Sequence, residues 1–282
     1  MTVRYGGNTT CVELRADDEI IVLDAGTGIR ALGINLEEEF GSRPIQLSLL
    51  ITHVHWDHIQ GFPFFVPAYN DKNQVRIFGY DGVDIGLHEI LQGQMAKPFF
   101  PVALYDLPGK IDFQKLEAME FNIGKVRVRS KFMNHPGICA GYRLFTSAGS
   151  VAFLPDNEPY DAFKLHSAKS HLLSPEQTQR RAEEERASLV KFLDGSDVLI
   201  LDTQYTDEEY PSHVGWGHGS LSTAVSLALD ADVRKLVLFH HDPNHDDATI
   251  DAMLQDARKL AAKSEKYLEV EAAREGTEVA LR

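Results

Sequence analysis

Short apolar runs dominate the first half of the chain and alternate with turn-forming residues, a pattern typical of β-strands. The predicted strands are Thr9–Leu14, Glu19–Leu23, Ile45–Ile51, Gln74–Phe78, Lys125–Phe132, Gly141–Phe145 and Ser150–Leu154. Turn signals such as Asp17-Asp18 and Ser147-Ala148-Gly149 separate them. The first half is therefore expected to be mostly β-sheet.

The second half alternates between helical and strand patterns. Ser174-Pro175-Glu176-Gln177 has the form of a helix start, which predicts a helix to about Leu193. The further predicted elements are strand Val198–Leu201, a helix from about Ser220, strand Lys235–Phe239, a helix over about Asp247–Lys263, and a β pair of Tyr267–Glu271 with Thr277–Leu281. This order predicts an α/β protein with two stacked mixed sheets and outer helices. Because no linker-like stretch interrupts residues 1–282, a single domain is expected.

Composition narrows the class of protein. The 282 residues are 43% apolar and 25% charged, as in ordinary globular proteins, and no apolar run approaches the ~20 residues that span a bilayer. Two cysteines indicate no disulfide framework, so a cytoplasmic location without a membrane partner is expected. The net charge of −14 predicts no broad nucleic-acid surface. A small phosphate-bearing substrate is compatible with it, because bound divalent cations reverse the local field.

The densest chemistry lies in "LLITHVHWDHIQG", Leu49 to Gly61. His53 and His55 point the same way in an extended segment and can share one ion, and Asp57 with His58 can face a second. A lone histidine is more often a surface or core residue, but four such groups after a buried strand indicate a metal site. Imidazole and carboxylate ligands suit zinc, and also manganese or iron.

This His-x-His-x-Asp-His pattern resembles the signature of the metallo-β-lactamase fold superfamily, which implies an αββα sandwich and two bound metal ions. Further matches are His135 in "NHPG", Asp156 after "SVAFLP" and His240 after "KLVLF". The resemblance assigns His53, His55 and His135 to one ion, Asp57, His58 and His240 to the other, and Asp156 to a bridging position.

The last ligand has a competitor. His241 follows His240 directly, and residue alternation along a strand would point the two side chains to opposite faces. The position of His240 in the family pattern favours it as the ligand. His245, in "HHDPNHDD", is interpreted as a loop residue.

One stretch, "LDTQYTDEEYPSHVGWGHGSLSTA", is similar to the region of ribonuclease Z and related phosphodiesterases that opens a helix before the last metal histidine. The resemblance makes His218 a candidate to protonate the leaving oxygen or to hold a phosphate oxygen. Gly217, Gly219 and Ser220 precede a predicted helix, whose free N–H groups favour phosphate, and Tyr205 is expected to help shape the substrate pocket. The alternative is that Ser220 caps the helix and His218 is merely exposed.

A second stretch, "VRYGGNTTCVEL" with "IVLDAGTGIRALG", resembles a bacterial group of phosphodiesterase-like metallohydrolases. The resemblance implies that Asp24 supports the metal loop; the alternative is an ordinary turn aspartate. The aromatic residues Phe62, Phe64, Phe65, Phe99 and Phe100 could line a base-binding pocket or form core or dimer contacts. Members of this group usually have one more strand upstream of this stretch. Either the start is displaced in this chain, or a second subunit covers the open sheet edge, and the second alternative would make the protein a homodimer.

The function expected from these observations is a dinuclear metal-dependent hydrolase that uses a hydroxide held between the metals. The most favoured substrate is a nucleotide-type or other small phosphodiester, with Asp57 or His218 helping the leaving group depart. No long basic arm of the ribonuclease Z type is visible. One alternative is a lactonase, β-lactamase or thioesterase on the same metal site, because this fold hosts several reactions. Another is a sensor or scaffold without activity.

Overall fold

The computed structural model of the chain describes residues 2–82, 84–160 and 174–281. Their contacts group the chain into two compact units. The first unit is Asn8–Arg129, and the second unit combines Met1–Gly7 with Ser130–Arg282. The single domain expected over residues 1–282 stays a prediction.

The first unit is built on a five-stranded mixed sheet in the order β1-β2-β3-β4-β5. Its strands are β1 (Val12–Ala16), β2 (Glu19–Leu23), β3 (Gln46–Leu50), β4 (Gln74–Gly79) and β5 (Lys110–Lys115). β1 and β2 are antiparallel, and the remaining pairs are parallel. Parallel strands need helical or irregular crossovers, and here these include α1 (Gly28–Phe40), α2 (Trp56–Ile59) and α3 (Leu87–Gln94).

Helix α1 is an element that the strand-dominated interpretation of the first half omitted. Ile29, Gly33 and Leu36 are its buried residues, at the spacing of one helical face. They join the core of the first unit, which also contains Leu47 and Leu49 of β3. The apolar period of α1 is present in the sequence, but the turn-forming residues before it favoured an irregular segment.

The second sheet is also mixed and has seven strands in the order β12-β11-β10-β9-β8-β7-β6. They are β6 (Glu120–Ile123), β7 (Val126–Phe132), β8 (Ala140–Thr146), β9 (Gly149–Leu154), β10 (Val198–Asp202), β11 (Lys235–Phe239) and β12 (Glu269–Ala272). The boundary between the two units falls within β7. From β9 to β12 the strands run parallel, so their carboxyl ends lie at one edge of the sheet. β10 is buried at every position, as expected of a central parallel strand.

Three helices complete the second unit: α4 (Pro175–Leu193), α5 (Leu221–Asp230) and α6 (Asp247–Ala261). The start predicted for α4 is confirmed, because the Ser174 hydroxyl accepts the Gln177 N–H at 3.2 Å and the Gln177 side chain accepts the Ser174 N–H at 2.8 Å. All three helices contribute to the core of the second unit, with Leu189, Val225 and Met253 among its buried residues.

The two mixed sheets and their flanking helices confirm the predicted α/β class. The predicted closing β pair is wrong: β12 pairs in parallel with β11, and residues 277–281 form no strand. A turn at Arg274–Thr277 sends this segment away from β12, and its residues are largely exposed. Among the described residues, no helix is both long and apolar enough to cross a membrane. The cytoplasmic location stays a prediction.

Candidate metal centre

The first group of candidate ligands, His53, His55, Asp57 and His58, is called the loop cluster below. It follows the carboxyl end of β3 and runs into the single turn of α2. His53 Nε2 lies 3.0 Å from His55 Nδ1, and His58 Nε2 lies 3.2 Å from Asp57 Oδ2. The rings of His53 and His58 are 4.1 Å apart at their centroids. The spacing therefore brings these four side chains together within the first unit, as predicted.

Asp24 holds the loop cluster from the end of the neighbouring strand β2. Its Oδ1 accepts the Thr52 N–H at 2.7 Å, and its Oδ2 accepts the Thr52 hydroxyl and the Nδ1–H of His58, both at 2.8 Å. Asp24 is fully buried and adopts a left-handed φ of 62°, a conformation that Asp tolerates better than most residues. Burial raises the pKa of Asp24, while His58 and Thr52 act in the opposite direction.

These contacts also determine which ring nitrogen of His53 and of His58 carries a proton. An ionised Asp24 can only accept, so the Thr52 hydroxyl gives its proton to Asp24 and accepts the Nδ1–H of His53 at 3.0 Å. His58 likewise donates Nδ1–H to Asp24. Both histidines therefore present Nε2 with a lone pair, the form that binds a metal. The supporting role expected of Asp24 agrees with this geometry.

The second group, His135, Asp156, His218 and His240, is called the strand-end cluster. His135, Asp156 and His240 follow β7, β9 and β11. His135 Nε2 lies 3.5 Å from one Asp156 oxygen, and His240 Nε2 lies 3.6 Å from the other. Asp156 is 1% exposed. The second unit thus places two candidate ligand nitrogens on the two oxygens of the residue expected to bridge.

Each histidine of the strand-end cluster has its own hydrogen-bond acceptor. His135 donates Nδ1–H to the carbonyl oxygen of Gly217 at 2.8 Å, and His240 donates Nδ1–H to Gln204 Oε1 at 3.1 Å. The Gln204 amide group donates in turn to Asp242 Oδ2 at 3.1 Å, which fixes the orientation of the amide. Both histidines therefore present Nε2, as His53 and His58 do in the first unit.

His218 is held differently from the other histidines. Its Nδ1 lies 2.9 Å from Asp202 Oδ2, and its ring stacks on that of His240 at 4.9 Å. Asp202 also accepts the backbone N–H groups of Asn157 and Gln204, which hold the carboxylate in place. Ligand atoms of Asp156, His218 and His240 all lie within 4.8 Å of one another. His218 is thus directed at the candidate ligands rather than merely exposed.

The structure separates His240 from His241. His240 adopts a left-handed φ of 59°, which ends the alternation of β11 and is why strand periodicity could not decide between them. His241 places Nε2 3.0 Å from the Ala273 carbonyl oxygen, and burial lowers its pKa. His245 pairs with the Glu209 carboxylate at 3.0 Å. Only His240 of these three lies against Asp156.

The donor atoms fit divalent metal ions. In the first unit His53 and His58 offer Nε2, with the Asp57 carboxylate beside His58. In the second unit His135 and His240 offer Nε2 beside the Asp156 carboxylate. An oxygen acceptor holds Nδ1–H of each of these four imidazoles. Mixed nitrogen and oxygen ligands with such outer acceptors are typical of zinc, and also suit manganese or iron.

Several residues expected to bind the substrate make contacts within the protein. The Gly217 N–H donates to Glu158 Oε2 at 3.0 Å, so it is not free for phosphate. At the start of α5, the N–H groups of Leu221 and Ser222 donate to the Tyr205 carbonyl and to Asp207 Oδ1. An acidic side chain therefore already occupies the helix terminus that was predicted to bind phosphate.

The remaining predicted substrate residues are buried. Tyr205 and Ser220 are each 2% exposed, and the Tyr205 ring stacks on His213 at 4.2 Å. A side chain at Gly219 would lie 2.5 Å from the Asp202 carbonyl oxygen, so this glycine allows close packing behind His218. These contacts lie within the protein, and the substrate-binding role expected of these residues stays a prediction.

Glu158 was not recognised from the sequence. It is 4% exposed and accepts hydrogen bonds from the N–H groups of Gly215 and Gly217 and from the Tyr210 hydroxyl. Glu158 thereby holds the loop that contains Gly217, whose carbonyl oxygen accepts the Nδ1–H of His135. Its only sequence signal is its position two residues after Asp156.

The aromatic group of the first unit divides into two parts. Phe62 and Phe65 are fully buried and belong to the core. Phe64 and Phe99 are 54% and 79% exposed, and Phe64 packs edge-on against Phe100. The core interpretation therefore holds for Phe62 and Phe65, and the partly buried Phe100 packs against the same core.

The chain is similar to several known proteins in sequence and in fold. A family model described as a β-lactamase superfamily domain matches residues 20–241. Ribonuclease Z of Thermoplasma acidophilum is 24% identical over 278 residues, covering 88% of this chain and 84% of that protein. Yeast PDE1 has a similar fold, with a TM-score of 0.65 and 16% identity over 98% of this chain and 95% of its own. The short form of human tRNase Z gives a TM-score of 0.59 with 16% identity, covering 100% and 96%.

These relatives correct one prediction. The expectation of no broad nucleic-acid surface conflicts with the similarity to ribonuclease Z, whose name describes an enzyme that acts on RNA. The physical reason for the error is that net charge sums over the whole chain. It does not describe the local field at a site rich in histidine and capable of binding cations.

The resemblance drawn from the sequence is therefore confirmed. A family match over most of the chain shows that the chain belongs to the metallo-β-lactamase superfamily of metal-dependent hydrolases.

Proposed function

We propose that this protein is a metal-dependent phosphodiesterase. Its divalent ions, in the first instance two zinc ions, would be held by the residues that the family resemblance assigns: His53, His55, Asp57 and His58 in the first unit, and His135, Asp156 and His240 in the second. The observation that carries the proposal is the pair of His218 and Asp202 beside Asp156. This pair adds a positioned proton carrier to a set of metal ligands.

Bound divalent ions would supply a hydroxide at neutral pH and neutralise charge on the phosphoryl oxygens. The chain's own residues prepare the site for them. Asp24 and Thr52 hold His53 and His58 in the tautomer that exposes Nε2. Gly217 and Gln204 do the same for His135 and His240. Correct tautomers before binding reduce the reorganisation that metal binding would otherwise require.

His218 supports cleavage of a bond with a poor leaving group. Its Nδ1 is engaged by Asp202, which leaves Nε2 as the nitrogen that can carry a proton to the departing oxygen. An alkoxide leaving group, such as a ribose oxygen of a nucleotide, needs that proton. Asp57, whose side chain is 38% exposed, serves as a metal ligand and as a second candidate for this transfer.

The similarity to ribonuclease Z over 88% of the chain favours phosphorus over carbonyl carbon as the electrophile. The substrate belongs to the nucleotide or RNA diesters, and its size stays open. Lactones, β-lactams and thioesters are the competing substrates on the same metals.

The test is hydrolysis of bis(p-nitrophenyl) phosphate, a dinucleotide and a short RNA by protein loaded with zinc or manganese, beside a lactone and a β-lactam. Diester cleavage that depends on metal and is lost in Asp57→Ala supports the proposal. Asp71→Ala, which removes an exposed turn aspartate in the same unit, is the matched control and should retain activity. Protein shown to carry two metals that opens lactones but cleaves no diester would overturn it.

A further inference from the structure

Trp56 stands between two candidate metal ligands, His55 and Asp57, and is 76% exposed. Tryptophan usually buries most of its large apolar surface. In the turn of α2, His58 and Ile59 face inward and are 0% and 4% exposed. The same turn leaves position 56 facing solvent. Packing in the described residues therefore does not account for an aromatic residue at this position.

The backbone that carries Trp56 is held firmly. The Trp56 carbonyl accepts the Gln60 N–H at 2.8 Å, and the His58 N–H donates to the His55 carbonyl at 3.0 Å. A side chain at Gly26 would lie 2.3 Å from the Asp57 carbonyl, which shows how closely the loop packs on its neighbour. With its backbone fixed, the indole has two side-chain torsions left to order. Binding a flat ligand therefore costs little conformational entropy.

A nucleotide offers two kinds of group to such a site, a phosphate for bound metal ions and a base for uncharged contacts. Stacking of a base on an aromatic face is such a contact and tolerates any base. The neighbours of Trp56 in the chain are ligands expected to hold the scissile phosphate, and a nucleobase lies one sugar away from that phosphate.

We propose that Trp56 stacks on a nucleobase next to the scissile phosphate and thereby selects nucleotide diesters over simple ones. This inference rests on the proposed phosphodiesterase function. Trp216, the other tryptophan of the chain, is 61% exposed but already packs edge-on against His213 at 5.0 Å. It is therefore the less suitable stacking surface.

The binding test uses the Trp216→Phe variant, in which Trp56 is the only tryptophan. Metal-loaded protein is titrated with adenosine monophosphate and with ribose 5-phosphate, which lacks the base. Quenching of Trp56 fluorescence by the first but not the second supports base stacking. Equal quenching by both, or by neither, would overturn it.

The kinetic test compares wild type, Trp56→Ala, Trp56→Phe and the control Tyr105→Ala on the dinucleotide ApA. Tyr105 is 79% exposed and lies outside the loop cluster. Loss of one base stack should raise KM for ApA by about 5- to 150-fold in Trp56→Ala with kcat little changed. Trp56→Phe should recover most of the loss, and Tyr105→Ala should behave as wild type.

The outcomes separate the two proposals. If metal-loaded wild type cleaves no diester, the phosphodiesterase proposal fails, while base-dependent quenching would still support a nucleotide contact at Trp56. If Trp56→Ala lowers kcat with KM unchanged, or changes the molar mass in light scattering, Trp56 is structural or a contact between copies. Either of these results rejects the inference.

Discussion

In both the loop cluster and the strand-end cluster, histidines present Nε2 because an acceptor holds Nδ1–H. The two clusters differ in how these acceptors are arranged. In the first, four candidate ligands lie within six positions, and one buried carboxylate, Asp24, fixes two of the histidines, one of them through Thr52. In the second, ligands arrive from separate strand ends, and each histidine has its own acceptor. Because one carboxylate serves two histidines of the loop cluster, removing it should disturb both of them. Because the acceptors of the strand-end cluster are separate, removing one of them should disturb only one histidine.

The largest effect is therefore expected from Asp24. Asp24→Ala leaves the Thr52 N–H, the Thr52 hydroxyl and His58 Nδ1 without an acceptor at a buried site. It should lower the free energy of unfolding by about 3–5 kcal/mol and reduce bound metal. Urea unfolding and elemental analysis measure the two quantities.

Gln204 supplies the comparison from the strand-end cluster. Gln204→Leu removes the acceptor of His240 alone and should weaken metal binding by about 10-fold, with a smaller loss of stability. Asparagine also tolerates the left-handed backbone, so the loss of stability in Asp24→Asn should lie between the losses in Gln204→Leu and Asp24→Ala. If Gln204→Leu destabilised the protein as much as Asp24→Ala, the distinction between shared and separate acceptors would fail.

The next effect concerns His218. His218→Ala and Asp202→Asn should each lower kcat by about 10²–10³-fold on a dinucleotide, whose alkoxide needs a proton to leave. Hydrolysis of bis(p-nitrophenyl) phosphate should change far less, because p-nitrophenolate leaves unprotonated. Equal losses on both substrates would assign His218 to metal binding or structure rather than proton transfer.

A smaller effect is expected at Gly217. Its φ is 88°, and a side chain there would lie 2.4 Å from His135 Nδ1. Gly217→Ala should therefore displace His135 and weaken metal binding by about 10- to 100-fold. Gly276→Ala is the matched control, because its φ of 73° carries the same backbone cost with nothing within 4 Å of the new carbon. Unaltered metal affinity in Gly217→Ala would show that the close approach of residue 217 to the His135 ring does not position that histidine.

The smallest effect lies away from both clusters. Burial would raise the pKa of Asp247, but the N–H groups of Arg4, Tyr5 and Val3 donate to it and lower the pKa below its usual value. The stabilisation is therefore present above the pKa of unfolded aspartate and is lost as pH falls through the folded value.

Urea midpoints test this assignment directly. The difference between wild type and Asp247→Asn should be present at pH 7 and shrink towards pH 3. Asp256→Asn, on the same helix, controls for loss of an exposed charge. A difference that is constant over this range would contradict the assignment.

Sequence reasoning succeeded where one local pattern carries the information. The proximity of the four loop-cluster side chains was predicted because they lie within six positions, and that of Asp156 to His135 and His240 because each follows an apolar strand; their role as metal ligands stays a prediction. It failed where function depends on contacts distant in the chain. The bond from Gln204 to His240 was not predicted, since no spacing rule links residues 36 positions apart. The contact of Asp207 with the start of α5 was not predicted for the same reason.

The bond from His135 to the Gly217 carbonyl has a consequence for how this protein can diverge. Every residue type has a carbonyl group, so no substitution at position 217 deletes the acceptor itself. Natural selection can act on it only indirectly, through the glycine that permits the left-handed turn and through Glu158, which anchors the turn. Lineages that retain this pair would inherit the orientation of His135 without any polar side chain to mark it. In sequence comparisons, its trace would be a glycine and a distant glutamate that vary together.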